Sequence, residues 1–138
     1  MTKLNCILLI DDDEPTNFLN KLIINEAGIC DNVYGIQMAR DALNYLKNRS
    51  DCPCNGRFII PDLILLDINM PGINGWEFME KYNQLPDDIT SKVKIVMLTS
   101  SENPEDFEKA GKTQRLAGIV TKPLTDSSLL ELINNYFK

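Results

Sequence analysis

Histidine is absent from this 138-residue chain, and cysteine occurs only four times. A structural zinc site needs four Cys or His ligands at suitable spacing. The pair formed by Cys52 and Cys54 has neither a second cysteine pair nor a histidine to complete such a site. Cys6 lies inside an apolar segment and Cys30 precedes another. We therefore predict four reduced thiols without a metal or redox role.

Long hydrophobic runs and an excess of basic charge are also missing. The apolar run after Met1–Lys3 is too short for a secretory signal and far too short to span a bilayer. The formal net charge is -6, from 14 Lys and Arg against 20 Asp and Glu, so we expect no basic face for direct nucleic-acid binding. These features predict a cytoplasmic protein without membrane insertion.

The hydrophobic content, 43%, is enough for one buried core in a chain of this length. Because the last predicted helix ends where the chain ends, we expect a single domain over residues 1–138 with no attached output domain.

Short apolar runs alternate with longer amphipathic segments, which is typical of βα units around a parallel sheet. Most of the runs are near-continuous in Ile, Leu and Val, as strands buried on both faces should be. The pattern predicts an α/β fold with five strands. They are Leu4 to Ile10, about Asn32 to Gly35, Asp62 to Leu66, Val93 to Leu98, and Ala117 to Thr121.

Five helices are expected after these strands, four of them with a clear apolar stripe facing the sheet. The stripes are Phe18, Leu19, Leu22, Ile23 and Ala27; Ala39, Ala42, Leu43 and Leu46; Phe78, Met79, Tyr82 and Leu85; and Leu129, Leu130, Ile133, Tyr136 and Phe137. The fourth helix has a good start at Asn103-Pro104 but only Phe107 and Ala110 as apolar anchors. Asn48 to Ile60 and Pro86 to Ser91 are predicted to be exposed loops.

Polar residues stand where the predicted strands end. Asp11, Asp12 and Asp13 follow the first strand, and Asp67 follows the third. In a parallel sheet of order 2-1-3-4-5 the first and third strands are neighbours about 5 Å apart, so Asp11, Asp12 and Asp67 meet at one mouth. Close like charges repel unless a cation binds among them, and Mg²⁺ prefers carboxylate oxygens. A Mg²⁺ site is therefore predicted, with Asp13 left as a helix cap.

Thr99 and Lys122 come at the ends of the fourth and fifth strands. The lysine can pair with Asp67 or with a phosphoryl oxygen, and the threonine offers a hydroxyl donor. A nucleophilic carboxylate, a metal, a cation and a donor are the parts that phosphoryl transfer requires. Taken singly, each of these residues is better explained as a helix cap or a solvated loop residue than as part of a functional site. Their coincidence at four of five strand ends favours a functional site.

These segments together resemble the receiver domain of two-component response regulators, a family that includes the stand-alone chemotaxis regulator. The resemblance covers essentially the whole chain. It rests on Ile7 to Asp12, on Pro61 to Asp67 with Met70 to Gly75, on Val96 to Ser100, and on Lys122-Pro123.

The resemblance implies a flavodoxin-like, doubly wound fold and a phospho-accepting switch that assists its own phosphorylation and dephosphorylation rather than an enzyme. It implies that Asp67 is the phosphoacceptor, that Thr99 and Lys122 contact the phosphoryl group, and that the backbone carbonyl of Asn69 is a further Mg²⁺ ligand. Family members commonly have a cis Lys-Pro bond, whereas the base rate for X-Pro bonds is only about 5%.

The expected partners are a sensor histidine kinase or a histidine phosphotransfer protein, and a downstream protein target. Since the chain has no histidine, the phosphohistidine donor must be a separate molecule. Terminal output and phosphate shuttling both stay open.

Two features depart from the family pattern. Ile119 stands where the family usually has an aromatic residue that rotates inward on phosphorylation, so output is expected to rest on backbone shifts of the fourth helix. The stretch from Asn48 to Ile60 is longer than the usual connection, as a partner-specific loop would be.

Three alternatives differ in class. Asp11-x-Asp13 after an apolar strand also resembles the nucleophile motif of haloacid-dehalogenase-type phosphatases, with Asp11 as the nucleophile, but that reading leaves Asp67 unexplained. A docking module that never binds phosphate is the second. A flavin carrier is the third, and the acidic residues Asp11 to Glu14 would repel its phosphate.

Overall fold

Five parallel strands form one sheet in the computed structural model, which describes residues 3–48, 59–100 and 103–137. The strands are β1 (Leu4–Ile10), β2 (Cys30–Ile36), β3 (Leu63–Asp67), β4 (Lys94–Thr99) and β5 (Leu116–Thr121). Their order is β2-β1-β3-β4-β5, and every neighbouring pair is parallel. The predicted α/β class and strand order are confirmed, and the predicted strand ends are correct to within about two residues.

Six helices occur in the described parts of the chain, one more than predicted. They are α1 (Glu14–Ala27), α2 (Ala39–Asn48), α3 (Gly75–Tyr82), α4 (Asp87–Thr90), α5 (Pro104–Lys112) and α6 (Asp126–Tyr136). None of these helices is long and apolar enough to cross a membrane.

The additional helix, α4, lies in the segment Pro86 to Ser91 that was predicted to be an exposed loop. The Pro86 carbonyl accepts hydrogen bonds from the backbone N–H groups of Ile89 (3.1 Å) and Thr90 (3.2 Å). The Ile89 side chain is 2% exposed and joins the core. A single turn is too short to show helical periodicity, so the sequence pattern could not reveal it.

Alternate residues of the central strands face two separate cores, one on each side of the sheet. Leu8, Ile10, Ile64 and Leu66 pack with α2 and α3. Their neighbours Ile7, Leu9, Leu63 and Leu65 pack with α1 and α6. Since successive side chains of a strand point to opposite faces, β1 and β3 must be apolar throughout to serve both cores.

The predicted apolar face of α1 is correct for Ile23 and Ala27, which are partly buried against the core, and wrong for its other three residues. Phe18, Leu19 and Leu22 were expected to face the sheet, but they are 64%, 57% and 41% exposed. The buried residues of this helix are Asn17, Asn20 and Ile24. The Asn17 side chain donates a hydrogen bond to the Asp11 carbonyl (2.9 Å) and lies against Gly35 of β2, so a polar contact sets which face turns inward.

The other helices follow the prediction more closely. The predicted stripe of α2 is buried throughout, and Phe78, Met79 and Tyr82 of α3 are buried. In α6, Leu129 and Ile133 are buried as expected, but Leu130 is 42% exposed and Leu132 takes its place in the core. Helix α5 is the helix that was predicted as the fourth. Only Ala110 is buried in it, which confirms the expectation of weak anchoring.

The remaining sequence predictions concern the cysteines, one loop and the extent of the domain. Cys6 and Cys30 are free, buried thiols. Cys52, Cys54 and nearly all of the predicted loop from Asn48 to Ile60 lie outside the described residues. A single domain over residues 1–138 stays a prediction.

Candidate functional site

The carboxylates of Asp11 and Asp67 meet at the carboxyl edge of the sheet. Ile10 of β1 is paired with Leu66 of β3, so the residue that follows each of them projects at the same level. Asp11 is 4% exposed and Asp67 is 7% exposed. Both continue the alternation of the residues that face α1 and α6. Two acidic groups are therefore held side by side in a largely buried position.

Asp12 completes an acidic cluster with these two residues. One carboxylate oxygen from each of Asp11, Asp12 and Asp67 lies within 4.8 Å of the others. Asp12 is exposed, so the cluster is open to solvent on its side. Hard oxygen ligands at this spacing match the ligand preference of Mg²⁺, which keeps several waters and binds through a few carboxylates. The cluster could hold such a metal ion.

Lys122 bridges the two buried acids. Its Nζ donates to Oδ2 of Asp11 (2.9 Å) and to Oδ1 of Asp67 (3.1 Å). Strand β5 precedes Lys122 and positions it. The backbone N–H of Lys122 donates to the Thr99 carbonyl (2.6 Å). Three carboxylates against one ammonium leave an excess of negative charge that a divalent cation would balance.

The pKa values of the pair reflect this arrangement. Burial raises the pKa of Asp67, and the charges of Asp11 and Asp12 raise it further, although the hydrogen bond from Lys122 opposes them. Burial alone would lower the pKa of Lys122, but its hydrogen bonds to Asp11 and Asp67 outweigh that effect and raise it. A cation among the carboxylates would stabilise their charged forms, so the electrostatics also fit a metal.

Thr99 and Asn69 lie beside this cluster in different environments. Thr99 ends β4 and is 1% exposed. Asp67 is paired with Leu98, so Thr99 stands one residue beyond it on the adjacent strand. Asn69 is exposed two residues after Asp67, in the connection to α3. Their predicted roles, a hydroxyl donor and a carbonyl ligand, stay predictions.

The connection between β3 and α3 approaches the Asp67 backbone closely. The Gly75 N–H donates to the Ile68 carbonyl (2.7 Å), and a Cβ on Gly75 would lie only 2.9 Å from the Asp67 carbonyl oxygen. Only glycine fits this approach. Asn74 then begins α3 with a capping box that includes Glu77. The glycine and the cap fix the position from which Asp67 projects.

One contributor to the site was not predicted. Asn17 of α1 holds the Asp11 carbonyl, while its own side-chain oxygen is buried without a hydrogen-bond partner among the described residues. The spacing of Asn17, Asn20 and Ile24 was a usable signal, but the apolar neighbours outweighed it. At the opposite edge of the sheet, the Asp62 carboxylate accepts from the backbone N–H groups of Asn5 (2.7 Å) and Cys6 (3.2 Å) and so ties the start of β3 to β1.

Asp13 is a helix cap, as predicted. Its side chain accepts a hydrogen bond from the Thr16 N–H (3.2 Å) at the start of α1. It does not belong to the acidic cluster. The Lys122–Pro123 peptide bond is cis, in agreement with the resemblance noted from the sequence.

The fold and this site define a class: a doubly wound parallel α/β domain with an acid and lysine cluster at the carboxyl edge of its sheet. Residues 7–134 match the family model of the response regulator receiver domain. The chain belongs to the response regulator receiver family. The predicted family and fold are confirmed.

Similar proteins agree with this assignment. A two-component response regulator from Cytophaga hutchinsonii superposes with a TM-score of 0.84 at 35% identity and covers 97% of both chains. A response regulator receiver protein from Dyadobacter fermentans has a TM-score of 0.80 at 29% identity, covering 96% of this chain and 97% of the other. Protein PilH of Pseudomonas aeruginosa is 29% identical over 127 residues, which is 92% of this chain and 93% of PilH.

Proposed function

We propose that this protein is a Mg²⁺-dependent phosphorylation switch in which Asp67 accepts a phosphoryl group from a phosphohistidine donor. The observation that carries the proposal is the bridge from Lys122 to Asp11 and Asp67 beside the exposed Asp12. The bridge holds the Asp67 carboxylate next to a fixed cation and to two further carboxylates, which supports a role as nucleophile beside a metal ion. Membership of the receiver family supports the same role.

The transfer itself is a substitution at phosphorus. A carboxylate oxygen of Asp67 attacks the phosphorus, the bond from phosphorus to the donor nitrogen breaks, and its electron pair returns to the imidazole ring. Lys122 already contacts Asp67 and is positioned to pair with a phosphoryl oxygen, and Thr99 supplies a hydroxyl from the neighbouring strand. Such chemistry needs mainly positioning and charge stabilisation.

Asp11, Asp12 and Asp67 are the residues that would hold Mg²⁺, together with the Asn69 carbonyl. When bound, the ion would neutralise charge on the transferred group. The protein's own contribution is to hold the two buried carboxylates in place through β1, β3 and Asn17.

The exposed apolar face of α1 supports docking of a protein donor at this site. We name Phe18, Leu19 and Leu22 the α1 surface; all three are more than one-third exposed. A depression of about 190 Å³ joins Leu19 and Ile23 to Lys122 and Pro123. A sensor histidine kinase or a histidine phosphotransfer protein bound there would present its phosphohistidine near Asp67. Exposed apolar clusters of this kind mark protein contacts.

The response to phosphorylation is proposed to reach a downstream protein target through α5. Phosphorylation adds up to about two negative charges next to Lys122 and Thr99. Ala110 is the one buried residue of α5, and Lys109 lies over the Trp76 ring at 4.7 Å. A helix held this weakly is free to repack, and Ile119, which is only partly buried, offers no aromatic ring to report the change.

The test is to incubate the protein with Mg²⁺ and acetyl phosphate and to measure intact mass. We expect one phosphoryl group to be gained by the wild type and none by Asp67→Asn. Asp13→Asn is the matched control, because asparagine caps a helix as well as aspartate does and Asp13 lies outside the cluster. Asp13→Asn should therefore gain the group normally.

The same experiment separates the alternatives. A phosphatase activity lost in Asp11→Asn and kept in Asp67→Asn would replace the proposal with the Asp11 enzyme. No mass gain in folded wild-type protein, with or without beryllofluoride as a phosphoryl mimic, would favour the docking module. That the chain is a switch rather than an enzyme, and that it acts in the cytoplasm, are parts of this proposal.

Output through α5 has its own measurement. Hydrogen exchange with and without beryllofluoride should show a change over Pro104–Lys112. Unchanged exchange there, in protein shown by mass or fluorescence to be occupied, would contradict this route. Trp76 fluorescence is a convenient monitor because Lys109 of α5 contacts the ring.

A further inference from the structure

A groove between α2 and α3 has an apolar floor and a cationic rim. We name it the α2–α3 groove; its volume is about 750 Å³. Leu43, Ile73 and Leu85 form the floor, and Arg40, Lys47 and Lys81 stand around it. No Asp or Glu lines it among the residues that the structure describes. Three cations without an acid are unexpected in a chain whose formal net charge is -6.

Local interactions account for only part of this charge. Lys47 and Lys81 lie in the last turns of their helices, where a cation favours the helix dipole. Arg40 lies in the first turn of α2, where the dipole disfavours a cation. None of the three forms an ion pair with another described residue. The basic rim is therefore available to a ligand.

Acids adjacent in sequence to the lining residues, among them Glu80 beside Lys81, do not themselves line the groove. Asp41 follows Arg40 but lines a separate depression with Gly35 and Gln37. Asp87 follows Pro86 at the groove end and pairs with Arg115 at 3.2 Å. An acidic ligand in the groove would consequently meet three cations and no lining carboxylate.

We propose that the α2–α3 groove binds an acidic segment of a partner protein that also carries aliphatic side chains. Charge complementarity selects the acidic character, and the Leu and Ile floor selects aliphatic groups. The groove is separate from the phosphorylation site, so binding requires no phosphoryl group on Asp67.

Other anionic ligands fit the groove less well. Among the described residues, no aromatic side chain lines it on which a base could stack, which disfavours a nucleotide or nucleic acid. Leu43 is only 8% exposed and lies at the bottom of a concavity, so it cannot insert into a bilayer as an interfacial helix does. A peptide chain can place its side chains into such a groove.

The probe for a test is a fluorescein-labelled 12-residue peptide made of Glu and Leu, followed by fluorescence anisotropy at low salt. A peptide with Ser in place of each Leu tests the apolar floor. We expect the Glu and Leu peptide to bind and the Glu and Ser peptide to bind at least about tenfold more weakly. Amide chemical shifts should change along α2 and α3.

Two variants of equal net charge locate the binding. The rim variant replaces the three cations of the groove by glutamine: Arg40→Gln/Lys47→Gln/Lys81→Gln. The control variant replaces three exposed lysines that do not line the groove: Lys21→Gln/Lys92→Gln/Lys94→Gln. The first variant should weaken binding by about tenfold and the second should leave it nearly unchanged. Asp67→Asn should bind as the wild type does, so this result is independent of the phosphorylation test.

Several outcomes would overturn the proposal. They are no binding at millimolar peptide, equal losses in both variants, shift changes away from α2 and α3, or tighter binding of ATP or of anionic phosphatidylserine vesicles than of the peptide. Self-association in sedimentation that is lost only in the rim variant would assign the groove to a second copy of this chain instead.

Discussion

The centre of the sheet is more completely buried than its β5 edge. Every residue of β3 is buried, and in β4 only the first residue is exposed. In β5 no residue is fully buried, and the adjacent helix α5 buries Ala110 alone. The centre carries Asp67 and adjoins Asp11, whereas the edge strand carries Ile119 and is followed by Lys122.

The buried centre of the sheet is suited to hold the acidic residues in place, and the less buried edge is suited to a conformational response. The proposed phosphoacceptor, Asp67, must stay within hydrogen-bond distance of its cation, which a close-packed centre ensures. A conformational signal needs a region with few buried contacts that can change at low cost in free energy. Lys122 stands between the two regions, because it follows the loosely packed strand and bonds to both central acids.

The comparison is tested most strongly by truncating one side chain in each region. Leu66→Ala in β3 removes a side chain with 0% exposure and should lower the free energy of unfolding by about 2–5 kcal/mol. Phe107→Ala in α5 removes one that is 38% exposed and should cost less than about 1 kcal/mol. Urea denaturation gives both values. Equal losses would show that α5 is anchored as firmly as the sheet centre.

One tight contact at the edge gives a second, smaller effect. A Cβ on Gly118 of β5 would overlap the hydroxyl of Tyr136 in α6 and lie 3.3 Å from its Cζ atom. Gly118→Ala should therefore destabilise the protein by about 1–3 kcal/mol, and adding Tyr136→Phe should recover part of the loss. The measurement is thermal unfolding of the four members of this cycle.

Gly111→Ala is the matched control at the same edge. Gly111 lies in α5, and apart from its own helix backbone and chain neighbours no described atom lies within 4 Å of its Cβ position, so alanine should be neutral or should stabilise the helix by up to about 1 kcal/mol. If Gly118→Ala were equally harmless, α6 would be free to move away from β5, and the loose region would extend beyond α5.

Buried thiols give the smallest of the three effects. Burial raises the pKa of Cys6 in β1 from 9.0 to about 12, and that of Cys30 at the start of the edge strand β2 to about 11. The folded state keeps each proton longer than the unfolded state, so stability is full below pH 9 and falls as pH rises towards the folded pKa.

At pH 10 the expected loss is about 1 kcal/mol for each thiol. Cys6→Ala should flatten the decline in unfolding free energy between pH 9 and 10 by about this amount. The control is the same pair of proteins compared between pH 7 and 8, where no pH dependence from the thiol is expected. A decline of unchanged slope in Cys6→Ala would assign it to other groups, among them Tyr82, whose pKa burial raises to about 12.

Much of the fold and of the candidate site was predictable because it depends on local pattern and on general properties of parallel sheets. Apolar runs located the five strands, and the strand ends located Asp11, Asp67, Thr99 and Lys122. The helix starts at Asp13 and Asn103 were recognisable from cap chemistry within a few residues. In each of these cases the determining interaction lies close along the chain or follows from the architecture.

The missed features depend on contacts between distant segments. The orientation of α1 follows from Asn17 meeting the Asp11 carbonyl and Gly35, and α4 follows from Ile89 reaching the core. The buried face of α1 does show helical spacing, but the apolar residues of the neighbouring face are more numerous, and the single turn of α4 is too short for a period. The exposed Phe18 and Leu19 show why: apolar spacing identifies a helix face but not which of two overlapping faces turns inward.

The sequence by itself determined that the chain is a parallel α/β domain with acids and a lysine at its strand ends, because strand periodicity and strand-end chemistry are local properties. Only the tertiary structure decided that Lys122 bonds to both Asp11 and Asp67 and that an apolar face of α1 stays in solvent. It also decided that three cations share a groove in which none of the described lining residues is an acid. Those features depend on how packed elements are rotated against one another, and rotation is set by the best joint fit of many distant side chains.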